Sequence, residues 1–301
     1  MTSEQHPAGY TPHESELHKQ HFHEQKSHAV NAACAIFGFD GVELRLLLFK
    51  RAREPFEGKW ELPGGRLSHD ESAENCIKRE LHDTLGLSPK LLRQVQTFSN
   101  HPDNPDGKGI TVLFYKLINP EKFSGIIFKG GEKYSDAQWF VLNRPIRKEF
   151  MYFDHLDLVS ASVEKLKIDL RHFPVAFELL DEQFTIKQLQ TVYEEILNKK
   201  FDRANFHKKM VGISDRPEPR QEFFYNTMRL EMHRIYPNER VAAAKRGDEP
   251  ESPGELRKNR GILIDTGEVV KGVRHKPAKI YMFDRARWDE LMKKGGFTFD
   301  F

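Results

Sequence analysis

Two cysteines, Cys34 and Cys76, are too few in 301 residues for a disulfide framework or a complete metal site. Both lie in apolar or helical stretches, so they read as reduced core residues. No stretch approaches the roughly 20 uninterrupted apolar residues that cross a bilayer, and the opening MTSEQHPAGYTPHESELHKQ has no apolar core of the secretion-signal kind. The expectation is a cytoplasmic chain with no membrane contact. Net charge is also scarce, at +2, so an argument for nucleic-acid binding has to rest on local clustering. What the chain does have is length enough for two domains, with 38% hydrophobic and 31% charged residues. That is a globular composition with a well-solvated surface.

The texture changes along the chain. Residues 1–28 form a polar terminus holding six of the 14 histidines, read as flexible. The pairs His18/His21 and His21/His23 have chelating spacing, and solvated histidines are the plainer reading. From Ala29, AVNAACAIFGF and VELRLLLFKR flank an Asp40–Gly41 turn and read as a hairpin. KWELPGG ends on two glycines, ESAENCIKRELHDTLG reads as a helix closed by Gly86, and GITVLFYKLI and AQWFVL read as strands. Residues 29–152 are therefore a mixed α/β unit. Residues 153–301 turn helical in HLDLVSASVEKLKIDLRH, in TIKQLQTVYEEILNKK with Thr185 as its cap, and in DRANFHKKMV. Two β-runs around a basic loop follow, and helix, helix, helix, hairpin is the order of a winged helix-turn-helix. An insertion at about 214–260, with one helix near 223–235 and flexible flanks, interrupts this unit.

Residues 65–87 carry the most specific spacing. Gly65 is followed by Glu71, then by Arg79, Glu80 and Leu81, and then by Gly86 and Leu87. This stretch resembles the Nudix box, in which a pair of glutamates falls at the positions held here by Asp83 and Thr84. In Nudix enzymes, acids at i, i+3 and i+4 of one helix hold Mg²⁺ against a pyrophosphate while water attacks phosphorus. Glu80 and Asp83 retain oxygen donors on one helical face and are the candidate metal ligands. Thr84 removes the third acid, so both read as vestiges of a catalytic site.

The likeness extends from Ala29 to Phe283. FKRAREPFEGKWELPGGRL, DAQWFVL, FDHLDLVSASVEKL, LLDEQFTIKQLQTVYEEIL, FDRANFHKKM and GILIDTG with RHKPAKIYMF resemble the Nudix-related transcriptional regulators. The resemblance implies a Nudix-type α/β/α sandwich with a mixed sheet, followed by a winged helix-turn-helix domain. It further implies a small-molecule effector such as ADP-ribose, a related nucleotide or a sugar, bound near Arg51, Glu61, Gly64, Gly65 and Arg79. Double-stranded operator DNA and a homodimer complete the expectation. No cofactor is required on this reading, and Mg²⁺ or Mn²⁺ enters only if the chain hydrolyses its ligand.

Residue chemistry in the C-terminal half agrees. DRANFHKKM places Arg203, Asn205, His207, Lys208 and Lys209 on a short helix and leaves Phe206 and Met210 for the core. Arginine and asparagine match guanine and adenine edges, whereas lysines neutralise phosphate. Lys271, Arg274, His275, Lys276 and Lys279 crowd the expected wing, which suits backbone or minor-groove contact. The alternative is an active Mg²⁺-dependent Nudix pyrophosphohydrolase of ADP-ribose or another nucleoside diphosphate derivative. A protein-interaction scaffold is a third reading, in which the basic helix and wing are incidental.

Overall fold

The computed structural model describes residues 29–89, 91–99, 109–119, 128–211, 261–272 and 277–294. The expected polar terminus, the insertion at 214–260, and Arg274, His275 and Lys276 of the wing lie outside these residues.

The centre is β1 (Ala29–Phe39), which pairs in parallel with β6 (Gly109–Ile118) and antiparallel with β2 (Leu44–Arg51). The β1–β2 turn closes as expected, with Asp40 Oδ1 accepting from the Val42 and Glu43 amides at 3.0 and 2.8 Å. β3 (Trp60–Glu61) and β7 (Tyr134–Val141) pair with β2, β4 (Gly64–Arg66) with β1, and β5 (Arg93–Ser99) with β6. The sheet is therefore mixed. Alternation in β1 sends Ala32, Cys34 and Ile36 to one face and Ala33, Ala35 and Phe37 to the other, and all six are buried. A strand buried on both faces needs a layer on each side. One is helix α1 (Ala73–Leu85), which packs Cys76, Ile77, Leu81 and Leu85 on the even face. The other is helix α2 (His155–His172), whose Leu158, Val159, Leu166 and Leu170 cover the odd face. The expected boundary at 152 falls just ahead of this second layer.

The chain continues through a 3₁₀ turn (Val175–Glu178), β8 (Gln183–Thr185), α3 (Ile186–Leu197) and α4 (Arg203–Val211). It then reaches β9 (Leu263–Val269), β10 (Lys279–Phe283) and α5 (Arg285–Lys294). β8, β10 and β9 form a three-stranded antiparallel sheet in that order, the wing of a winged helix. Thr185 caps α3 as expected, in a reciprocal capping box with Gln188.

The two halves share one apolar cluster. Phe37, Leu46 and Tyr115 of the first sheet run through Leu166 and Leu170 to Leu189, Ile196, Phe206 and Trp288. Polar ties reinforce the join. Tyr115 donates to Asp169 Oδ2 at 2.6 Å, Asn119 Nδ2 to Asp181 Oδ1 at 2.7 Å, and Arg93 grips the Glu178 carboxylate with both terminal nitrogens.

Candidate effector site and nucleic-acid interface

Helix α1 begins at Ser72, whose hydroxyl accepts from the Asn75 amide at 3.2 Å, and ends at Gly86 with φ 69°, a left-handed cap that favours glycine. Burying Ile77, Leu81 and Leu85 fixes the rotation of the helix and directs Glu80 towards the Gly64–Gly65 backbone. A Cβ on Gly65 would stand 2.3 Å from Glu80 Oε1, so this position has to be glycine for the carboxylate to sit there.

Ion pairs then organise the box. Arg79 donates to both oxygens of Glu71 at 2.9 Å each, and its Nη1 donates to Glu80 Oε1 at 2.9 Å. The paired bonds from Arg79 hold the Glu71 carboxyl down at about 2. Lys133, at the start of β7, donates from Nζ to Glu80 Oε2 at 2.7 Å and also to the Gly64 carbonyl. Thr84 turns its hydroxyl back onto the Glu80 carbonyl at 2.6 Å. The Asp83 side chain is 64% exposed against 12% for Glu80, and its neighbour is His82. Burial lifts the Cys76 thiol to about 11, which keeps it protonated at neutral pH.

Glu80 and Asp83, expected as metal ligands, are not brought together on one face by the structure. Both Glu80 oxygens are taken by cationic side chains, Asp83 lies out in solvent, and Thr84 brings a neutral hydroxyl that is already bonded. Among the described residues no group of three or more His, Cys, Asp or Glu is placed to hold a metal ion. The donor set does not fit the divalent cation of a Nudix enzyme.

Arg51 and Glu61, expected to contact ligand, are buried and pair with each other at 2.7 Å. The Arg51 guanidinium also lies 4.1 Å from the Tyr152 ring centroid and donates to the Pro55 carbonyl. Their neighbourhood joins the box to α2. The Leu62 amide donates to His155 Nδ1 at 2.8 Å, and the Tyr152 amide donates to the Trp60 carbonyl at 2.7 Å. Burial first, and then the positive charges of Arg51 and Lys133, push His155 down to about 3. The segment Trp60–Arg66 is thus held by Lys133 and Glu80 on one side and by the start of α2 on the other.

In the C-terminal half, Phe206 and Met210 are buried, with Phe206 edge-on to Tyr193 at 5.6 Å. Arg203, Asn205, His207, Lys208 and Lys209 are exposed along α4. Asp202 starts this helix by accepting from the Asn205 amide at 2.9 Å. The turn between α3 and α4 is set by Glu194, whose carboxylate accepts from the Phe201 amide, Gln190 Nε2 and Lys200 Nζ, each at 2.9 Å. Asn198, with φ 49°, lets the chain reverse there. Lys271 and Lys279 stand on the described part of the wing, where Lys279 pairs with Asp265 at 2.6 Å.

Sequence reasoning missed Lys133, His155 and Glu194. Lys133 reaches Glu80 across 53 residues and His155 reaches Leu62 across 93, so no local spacing announces either contact.

A mixed sheet between two helical layers, running without a break in its core into a winged helix, defines a Nudix fold fused to a DNA-binding module. A family model described as the NUDIX domain matches residues 27–159, and one described as the NrtR DNA-binding winged helix domain matches residues 176–214. The ADPR responsive transcriptional repressor NtrR of Acinetobacter baylyi is 30% identical over 179 residues, covering 59% of this chain and 70% of the repressor. The ADP-ribose pyrophosphatase of Methanocaldococcus jannaschii is 29% identical over 132 residues, covering 44% of this chain and 73% of the enzyme. Shewanella oneidensis NrtR has a similar fold, with a TM-score of 0.54, 24% identity and coverage of 84% of this chain and 93% of its own. The chain belongs to the family of Nudix-related transcriptional regulators. No described helix is long and apolar enough to cross a membrane.

Proposed function

We propose that this protein is a DNA-binding transcriptional regulator whose Nudix fold senses ADP-ribose or a closely related nucleoside diphosphate without turning it over. The observation that carries the reading is the exposed row of Arg203, Asn205, His207 and Lys208, mounted on a helix whose opposite face is locked into the core by Phe206 and Met210. Arg203 and Asn205 lie near the start of α4, where a recognition helix meets base edges, and Lys208 and Lys209 supply charge for phosphate. Arg274 and Lys276, which lie outside the described residues, are proposed as further phosphate contacts. One recognition helix offers few base contacts, so the working form is a two-fold dimer on an inverted repeat. The protein acts in the cytoplasm, where its operator is found.

The sensor half binds its effector against Gly64, Gly65 and Arg79, next to the Trp60–Arg66 segment that touches the start of α2. Arg51 and Glu61 brace that segment. The engagement of Glu80 by Arg79 and Lys133 supports binding in place of hydrolysis. Likeness to an ADP-ribose pyrophosphatase and the partial Nudix box favour a second reading as a hydrolase.

Fluorescence anisotropy on duplexes from around the gene's own promoter, with and without ADP-ribose, tests the proposal. Arg203→Ala or Asn205→Ala is expected to cost about 1–3 kcal/mol on the cognate site and to flatten sequence preference. Lys208→Ala is expected to weaken all duplexes alike and to reduce the salt slope by about one ion. Absence of duplex binding, together with Mg²⁺-dependent turnover of ADP-ribose near the ordinary enzymatic rate of about 1 per second or more, would replace the regulator by the hydrolase.

A further inference from the structure

The donor set of the box fails to fit a divalent cation, and one contributor to that misfit is a side chain from outside the box. Lys133 Nζ lies 2.7 Å from Glu80 Oε2, while Arg79 Nη1 holds Oε1 at 2.9 Å. Glu71 and Glu80 bring two negative charges to this cluster, and Arg79 and Lys133 bring two positive ones. A divalent ion placed here would meet carboxylates that are already neutralised and two like charges beside them. An ammonium has three N–H donors. Two go to Glu80 and to the Gly64 carbonyl, the third meets no acceptor among the described residues, and the side chain remains 28% exposed.

We propose that Lys133 is a resident cation that replaces the divalent metal of the Nudix site and receives the diphosphate of the effector, so that this chain binds its ligand without metal. The inference rests on the reading above that the effector carries a diphosphate. In a Nudix enzyme the ion has two tasks, neutralising phosphate oxygens and activating water. A lysine ammonium performs the first, through its charge and its remaining donor. It cannot perform the second, because it has no coordination position at which water loses a proton. Binding without cleavage is then what this exchange of cation produces in a box that has also lost the acid at Thr84. Lys133 can move little while it serves, since Glu80 and Gly64 hold it from two directions. Gly65 keeps the space in which that carboxylate sits.

The test uses the full chain and two independent readouts. Calorimetric titration with ADP-ribose is expected to give the same affinity in EDTA and in Mg²⁺. Lys133→Met is expected to weaken binding in EDTA by about tenfold or more, and Lys133→Arg, which keeps the charge, to restore most of it. Thermal melts of both variants establish that they fold. Mn²⁺ titration followed by electron paramagnetic resonance, with no effector present, is expected to show no site that depends on Glu80. Three results each overturn the proposal: affinity about tenfold tighter in Mg²⁺ than in EDTA, unchanged affinity in folded Lys133→Met, or Mn²⁺ binding to the wild type that Glu80→Gln abolishes. Failure of ADP-ribose to bind in either buffer overturns the effector reading instead. The Mn²⁺ arm then still decides whether Lys133 excludes the metal.

Discussion

His155 is expected to make the fold acid-labile over a defined range. Its Nδ1 accepts from the Leu62 amide at 2.8 Å, a role that requires this nitrogen to carry no proton. Burial, with Arg51 and Lys133 adding positive charge nearby, lowers its pKa from 6.5 to about 3. The unfolded chain titrates this ring near 6.5, so between the two values the unfolded state binds up to one proton more than the folded state. Stability therefore rises with pH across this window, is complete above it, and is lost as pH falls. One unit of pH corresponds to about 1.4 kcal/mol, so a fall from 6.5 to about 5 removes at most about 2 kcal/mol through this residue. That figure is an upper bound because part of the residue reaches solvent. Urea denaturation of the wild type and of His155→Gln, run from about pH 7 to about pH 5, isolates the effect. Glutamine offers the Leu62 amide a carbonyl acceptor and does not titrate, while every other histidine and carboxylate is common to both proteins. Glu71, held at about 2, stays ionised in the folded state throughout. The wild type should lose its advantage over the variant by up to about 2 kcal/mol on acidification. Parallel stability curves for the two proteins would refute the argument.

Three further outcomes are expected. Phe206→Ala, which removes a ring 1% exposed beneath α4, should cost about 3–5 kcal/mol in urea denaturation. Phe206→Leu should cost much less, and equal losses would deny the packing role. Gly65→Ala should destabilise by about 1–3 kcal/mol through its 2.3 Å approach to Glu80 Oε1. Glu80→Ala should relieve part of that strain in a double-mutant cycle, and strict additivity would count against the contact. Glu194→Ala should weaken duplex binding in anisotropy although it deletes a negative charge, because the α3–α4 turn loses three hydrogen bonds. Tighter DNA binding would mean that charge, and not turn geometry, governs at that position.

Elements with strong local signals were legible in the sequence. The box helix could be read from its spacing and its Gly86 stop, α3 from the Thr185 cap, and the buried face of α4 from Phe206 and Met210 at i and i+4. The core strands were readable because Ala29–Phe39 and Leu44–Arg51 are apolar almost throughout. Elements with mixed patterns were not. β5, RQVQTFS, is an edge strand with polar residues on both faces, and α5, RARWDELMKK, brings few apolar residues besides Trp288 and Leu291. β8 is three residues long and exists through its pairing with β10, a contact about a hundred residues away in sequence. The site shows the same division. Arg79, Glu80 and Gly65 follow from motif spacing, whereas Lys133 and His155 are delivered by the tertiary fold. Arg51 and Glu61, which the family resemblance implied as ligand groups, pair with each other, a contact that sequence spacing did not announce.

The apolar cluster that runs from Phe37 and Leu46 through Leu166 and Leu170 to Leu189 and Phe206 bears on how such a chain can be recombined. A cut at 152 would strip α2 from the odd face of the sheet and leave Phe37, Leu46 and Tyr115 open to water. A cut after 172 would instead deprive the helix carrying Leu189 and Ile196 of the α2 and β2 surface it packs against. Neither fragment is a closed unit, so the reader of DNA cannot be exchanged between relatives as an interchangeable cassette. Its sensor has to travel with it, or the seam between them has to be redesigned on both sides at once.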